Sequence, residues 1–224
     1  MRKSGGTAES LRFRPEVCIR RCFFMGEYMK LHYVGKYNMD PDSLPHDEHE
    51  PNAVKFKEPD SMKKLAIIMN VLAAVLLIPF AALLILRCGS EVFLRFRGMG
   101  ILIGAALSML SLIPHEFLHA ICFKDDVYMY TNLKQGMLFV AGTERMSKAR
   151  FIFMSLLPNI IFGFIPFITA MIFPSLTILG VFGVLSIASG AGDYYNVFHT
   201  LTQVPNGAKI YMHKLNSYWF MPEK

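Results

Sequence analysis

Cysteine is scarce in this chain and tryptophan nearly absent, with four Cys and one Trp in 224 residues. Cys18, Cys22, Cys88 and Cys122 form no paired pattern, which argues against a disulfide framework and against a cysteine-held metal. Residues 1–28 offer neither a signal peptide nor a continuous apolar run, because Arg20 and Arg21 interrupt the apolar stretch at 17–24. Charge is sparse as well, at 18% of residues, and Lys and Arg are missing altogether from 99–123, 151–173 and 176–199. Apolar blocks of that length without a basic residue are more than a soluble core needs. Each is near the roughly 20 residues required to cross about 30 Å of hydrocarbon.

With a fourth block at about 65–86, these stretches predict an all-α multipass membrane protein of about four transmembrane helices. Pro79 is expected to kink the first span, where Asn70 is the one strongly polar side chain. Residues 126–130 and 136–141 read as the strands of a small β hairpin between the second and third spans. The expected organisation is a cytoplasmic N-terminal tail over 1–64, a four-span core over 65–200 and a partly β cytoplasmic segment over 201–224. Coherent patterning begins at Met29, an alternative native start that would leave 1–28 outside the mature chain. The acidic, Pro-bounded loop at 40–60 contains His46 and His49, but charge there is easily hydrated and reads as surface rather than as a second metal site.

Four spans put the N-terminal tail, the 124–150 loop and the C-terminal segment on one side, together holding 20 of the 23 basic residues. The positive-inside rule makes that side cytoplasmic, so both termini are expected in the cytoplasm of a multi-pass cell-membrane protein. The lipid bilayer is then an obligatory partner. Nucleic acid is not an expected one.

The second block contains His115-Glu116-Phe117-Leu118-His119. Residues four apart share one helix face, so His115 and His119 can aim at a single metal ion while Glu116, about 100° round, can handle a water beside it. By composition, an accidental H-E-x-x-H arises on the order of once in a hundred such chains. Three ionisable groups in one span, each costing about 2.5–3.5 kcal/mol on insertion scales, are seldom there without function.

A third ligand can be sought by depth. His115 and His119 lie 16 and 20 residues into the second span, and Asp193 lies 18 residues into the fourth, all near the same level at about 1.5 Å per residue. Asp193 is therefore the expected partner, preceded by the small residues Ser189-Gly190-Ala191-Gly192. His199, one and a half turns nearer the cytoplasm, fits less well. Small and polar residues recur at helical spacing as Gly104, Ser108, Ser111, His115 and His119, as Ser186, Ser189, Asp193, Asn196 and Thr200, and as Ser155, Asn159 and Gly163. Such faces are either closely packed or hydrated.

His115-Glu116-x-x-His119, Leu157-Pro158-Asn159, Gly192-Asp193-Tyr194-Tyr195-Asn196 and Pro205-Asn206-Gly207-Ala208 together resemble the bacterial zincin peptidase membrane family. More distantly the layout is similar to the site-2 protease intramembrane metalloproteases, from which it departs in carrying Tyr194 after Asp193. The resemblance implies a multipass metallopeptidase. Its zinc, Zn²⁺, would be held by His115, His119 and Asp193, with Glu116 moving the proton and the Asn159 amide stabilising the oxyanion. The expected substrate is a protein or peptide in or near the membrane. A membrane zinc hydrolase of non-peptide substrates and a non-catalytic zinc-binding scaffold are the alternatives.

Overall fold

The computed structural model describes residues 16–19, 29–59, 61–89, 99–132 and 136–223. The Cys88–Gly98 linker and the 132–136 turn lie largely outside these residues, as does most of the basic N-terminal stretch.

The chain is mostly helical, and among the described residues three helical stretches are long and apolar enough to cross a membrane: 63–88, 99–120 and 148–172. A fourth is available if Thr177–Ser189 and Ala191–Gln203, bent by 50° at Gly190, count as one span. We label the helices α1 (Met62–Cys88), α2 (Met99–Leu110), α3 (Leu112–Ala120), α4 (Lys148–Pro158), α5 (Ile165–Ile172), α6 (Thr177–Ser189) and α7 (Ala191–Gln203), with a π-helical turn Asn159–Phe164 joining α4 to α5. α1 continues through Pro79. Its exposed face is apolar, with Val71, Val75 and Ile78 more than half exposed, which suits lipid rather than water.

The bundle core gathers Leu84, Phe167, Ala170, Val181, Val184 and Ile187. Helices meet there through glycine, since a Cβ on Gly183 would lie 2.5 Å from the Phe167 backbone nitrogen. The serines on the facing stripes divide: Ser108 and Ser186 are buried, with their hydroxyls 3.4 Å apart, whereas Ser189 is exposed.

The expectation of an all-α chain with a single hairpin needs correction, because the structure contains two four-stranded sheets. The strands are β1 (Glu16–Ile19), β2 (Met29–Lys36), β3 (Val54–Lys55), β4 (Val127–Asn132), β5 (Met137–Ala141), β6 (Met146–Ser147), β7 (Lys209–His213) and β8 (Asn216–Phe220). One sheet has the order β1-β2-β4-β5, with β2 parallel to β4 and β4 antiparallel to β5. The other runs β3-β8-β7-β6. Segments expected as an N-terminal tail thus supply strands to both sheets. The 46–50 run also docks: His49 stacks on His213 with ring centroids 4.0 Å apart, and Arg145 pairs with Asp47 and Glu50. Phe123, Met146, Phe151 and Ile210 form the core that joins this sheet layer to the helices.

Candidate metal centre

Each helix that supplies the site is interrupted near it. Pro114 has no N–H for the Leu110 carbonyl and its ring crowds that group, so α2 ends at Leu110 and α3 resumes at Leu112. The chain stays helical in direction, because Ser111 N–H still bonds Leu107 O at 2.9 Å. α3 then carries His115 and His119 one turn apart, ring centroids separated by 4.9 Å.

Pro158 acts in the same way on α4. Lacking an N–H, it leaves the Met154 carbonyl without its helical partner, and His119 Nδ1 lies 2.9 Å from that oxygen. A carbonyl only accepts, so Nδ1 carries a hydrogen and Nε2 is the nitrogen aimed into the site. After Pro158 the π turn rolls Asn159 inward, where it is 1% exposed. Its amide nitrogen donates to Asp193 Oδ2 at 2.7 Å and to Ser155 O at 3.2 Å. Both N–H groups are thereby engaged, and Asn159 holds Asp193 instead of facing an oxyanion.

Gly190 makes the third interruption. A Cβ there would fall 1.7 Å from Asn159 Oδ1, so only glycine lets the α6–α7 bend sit against Asn159. The bend places Asp193 in the first turn of α7, where a carboxylate is favoured by the free N–H groups of the helix start. Asp193 Oδ2 lies 3.1 Å from His115 Nε2, and Asp193 Oδ1 lies 3.2 Å from His119 Nε2. These three side chains are 12%, 10% and 14% exposed, which removes most competing water.

The donor set fits a metal ion. With Nδ1–H spent on Met154, a neutral His119 turns a lone pair toward a carboxylate oxygen that also has only lone pairs to offer. Two acceptors at 3.2 Å repel unless a proton or a metal cation lies between them. Two imidazole nitrogens and a carboxylate are the ligands zinc takes in hydrolytic sites. Glu116 is close by, its ligand-capable oxygen within 4.8 Å of the two imidazole nitrogens. Its Oε2 accepts the Val140 N–H at 3.1 Å, from the edge strand β5.

His199, the weaker alternative from sequence, is engaged elsewhere, against Gln203 and the Tyr195 ring. Sequence reading missed the Met154 carbonyl and Glu58. The first could have been found by asking which carbonyl Pro158 orphans. Glu58 sits between prolines in a loop-like stretch and carries no local signal.

A cavity of about 280 Å³ opens on the site, walled by Glu116, His119 and Asp193 together with Phe139, Met154 and Tyr195. A second hollow of about 720 Å³ runs between α1 and the α6–α7 bend and shares Leu65, Met69 and Gly192 with the first.

Residues 108–209 match the family model described as "Putative zincin peptidase". That segment runs from α2 to the start of β7 and so contains His115, Glu116, His119, Asn159 and Asp193. No curated protein and no solved structure matches the chain. The matched segment is the one whose polar groups converge.

Proposed function

We propose that the protein is a membrane-embedded zinc metalloendopeptidase of the cell membrane, with both termini cytoplasmic, that cuts a membrane or membrane-adjacent protein. The observation that carries this reading is the convergence of His115 Nε2 and His119 Nε2 on the two oxygens of Asp193, with Glu116 alongside. His115, His119 and Asp193 would hold zinc, which when bound supplies Lewis acidity toward a water and a peptide carbonyl. Met154 O keeps His119 in the tautomer that points Nε2 inward, and Asn159 fixes the Asp193 carboxylate.

Glu116 is the base. Its carboxylate takes a proton from the attacking water and returns it to the leaving amine. β5 is the terminal strand of its sheet, and its Val140 N–H is not used by β4. An extended peptide pairing along that edge would take the Val140 N–H and free Glu116 Oε2 for the reaction. The hollow beside α1 supports a substrate that arrives from the bilayer, because it borders the catalytic cavity and shares Leu65, Met69 and Gly192 with it as lining. Such a segment must lose helix before it can pair, so cleavage is expected at a helix-breaking stretch near the cytoplasmic leaflet.

Glu116→Gln tests the assignment. Hydrolysis of a reconstituted membrane substrate should fall at least about a thousandfold while zinc stays bound. Wild-type turnover by this variant would return the protein to the scaffold reading.

A further inference from the structure

We infer that Glu58 is a specificity residue that receives a cationic group of the substrate, the side chain of Lys or Arg, inside the catalytic cavity. This rests on the peptidase reading and adds the charge of the preferred substrate to it.

The local fold aims Glu58 inward. β3 pairs with β8 through Val54 and Lys55, and the pairing is prolonged by the Phe56 N–H to Ser217 O bond of 2.9 Å. Beyond β3 the chain turns at Lys57, where the Glu58 N–H bonds the Phe56 carbonyl at 2.8 Å, and the Ser217 N–H reaches the Glu58 carboxylate from β8. Phe56 enters the core at 2% exposure, and Glu58 lines the cavity that also holds Glu116, His119 and Asp193.

The carboxylate has little to compensate it there. Ser217 bonds it through its hydroxyl and through its N–H, the latter reaching Oε2 at a long 3.4 Å, and the charge of Lys55 acts on it, but no ion pair involving Glu58 forms among the described residues. No Lys or Arg is among the residues that line the cavity, whose remaining walls include Phe139, Phe151, Met154, Met212 and Leu215. Burial accordingly raises the Glu58 carboxyl above the ordinary glutamate range. A carboxylate that lines a largely apolar cavity whose walls hold no Lys or Arg is complementary to a cation that the occupant brings.

The cation could be a basic side chain or the free amino terminus of a peptide, and we assign the side chain because the reading is of an endopeptidase. The test uses full-length protein in detergent and three synthetic peptides: an N-acetylated peptide with a central Arg, the same peptide with Gln for Arg, and the Gln peptide with a free amino terminus. Binding is measured on the Glu116→Gln background and kcat/KM on wild type. The Arg peptide should be preferred over the acetylated Gln peptide by about tenfold or more, and Glu58→Gln should collapse that ratio through KM. Glu58→Lys should reverse it toward a peptide with Glu at the same place.

Arg-peptide binding that depends on Glu58 in the absence of any hydrolysis would keep the cation site and remove the peptidase reading. Hydrolysis of all three peptides without preference would do the opposite. A preference for the free amino terminus that Glu58→Gln abolishes would overturn the side-chain assignment. If none of the peptides binds or is cut, both fall.

Discussion

α1 and the helices of the metal centre treat proline differently. α1 runs from Met62 to Cys88 through Pro79 without a break, its outward face apolar and exposed. α2–α3, α4–α5 and α6–α7 are each interrupted close to the site, at Pro114, at Pro158 with its π turn, and at Gly190. A membrane helix satisfies its own backbone groups, so an interruption releases polar groups that need partners. In α1 nothing is built on that release. In α4 the released Met154 carbonyl orients a histidine, and at Gly190 the bend delivers a carboxylate. The polarity gathered at the candidate site comes as much from broken helix as from polar side chains.

The comparison breaks most severely at Gly190. Gly190→Ala drives a Cβ into Asn159 Oδ1, and the contact must be relieved by moving Asn159 or opening the bend, either of which displaces Asp193. We expect a loss of about 1–3 kcal/mol of stability and more than a hundredfold of activity, read by thermal unfolding and by peptide turnover. Retained activity would mean that the bend does not position Asp193.

Two proline substitutions sharpen the contrast directly. Pro158→Ala restores an N–H that competes with His119 for the Met154 carbonyl, so zinc affinity should drop about 10–100-fold even though the helix gains a hydrogen bond. Pro79→Ala also restores an N–H, but in a helix that carries no ligand. Its zinc affinity should match wild type, and equal effects of the two substitutions on competitive chelator titration would erase the distinction.

The smallest effect concerns the sheet layer beside the bundle. A carboxyl raised by burial binds its proton more tightly in the folded state, so its cost to stability is full above the raised value and declines as pH falls toward the ordinary glutamate value of about 4.3. Glu58→Gln should therefore raise the thermal midpoint by about 2–4 °C near pH 8, with the gain shrinking as the pH approaches 4. An increment independent of pH would show that Glu58 is not desolvated.

What the sequence made legible follows the same division. The apolar blocks and the His115-Glu116-x-x-His119 spacing depend on neighbours a few residues apart, and depth counting led to Asp193, which the structure seats against both imidazoles. The sheets were largely hidden because their pairings are remote: β2 lies parallel to β4 nearly a hundred residues later, and β3 joins β8 from the far end of the chain. Asn159 was legible as a site residue by its motif. Its engagement with Asp193 depends on a π turn that periodicity does not announce. Glu58 was invisible because its place in the cavity depends on Ser217, 159 residues later in the chain.

The most direct test of a zinc centre closed by the α6–α7 bend is the metal content of the purified protein and its single-site variants. Wild type and Glu116→Gln should each carry about one zinc per chain, and Asp193→Ala should lose most of it, because two imidazoles alone leave the ion under-coordinated. Full zinc occupancy in Asp193→Ala would contradict the assignment and leave the bend without a role in metal binding.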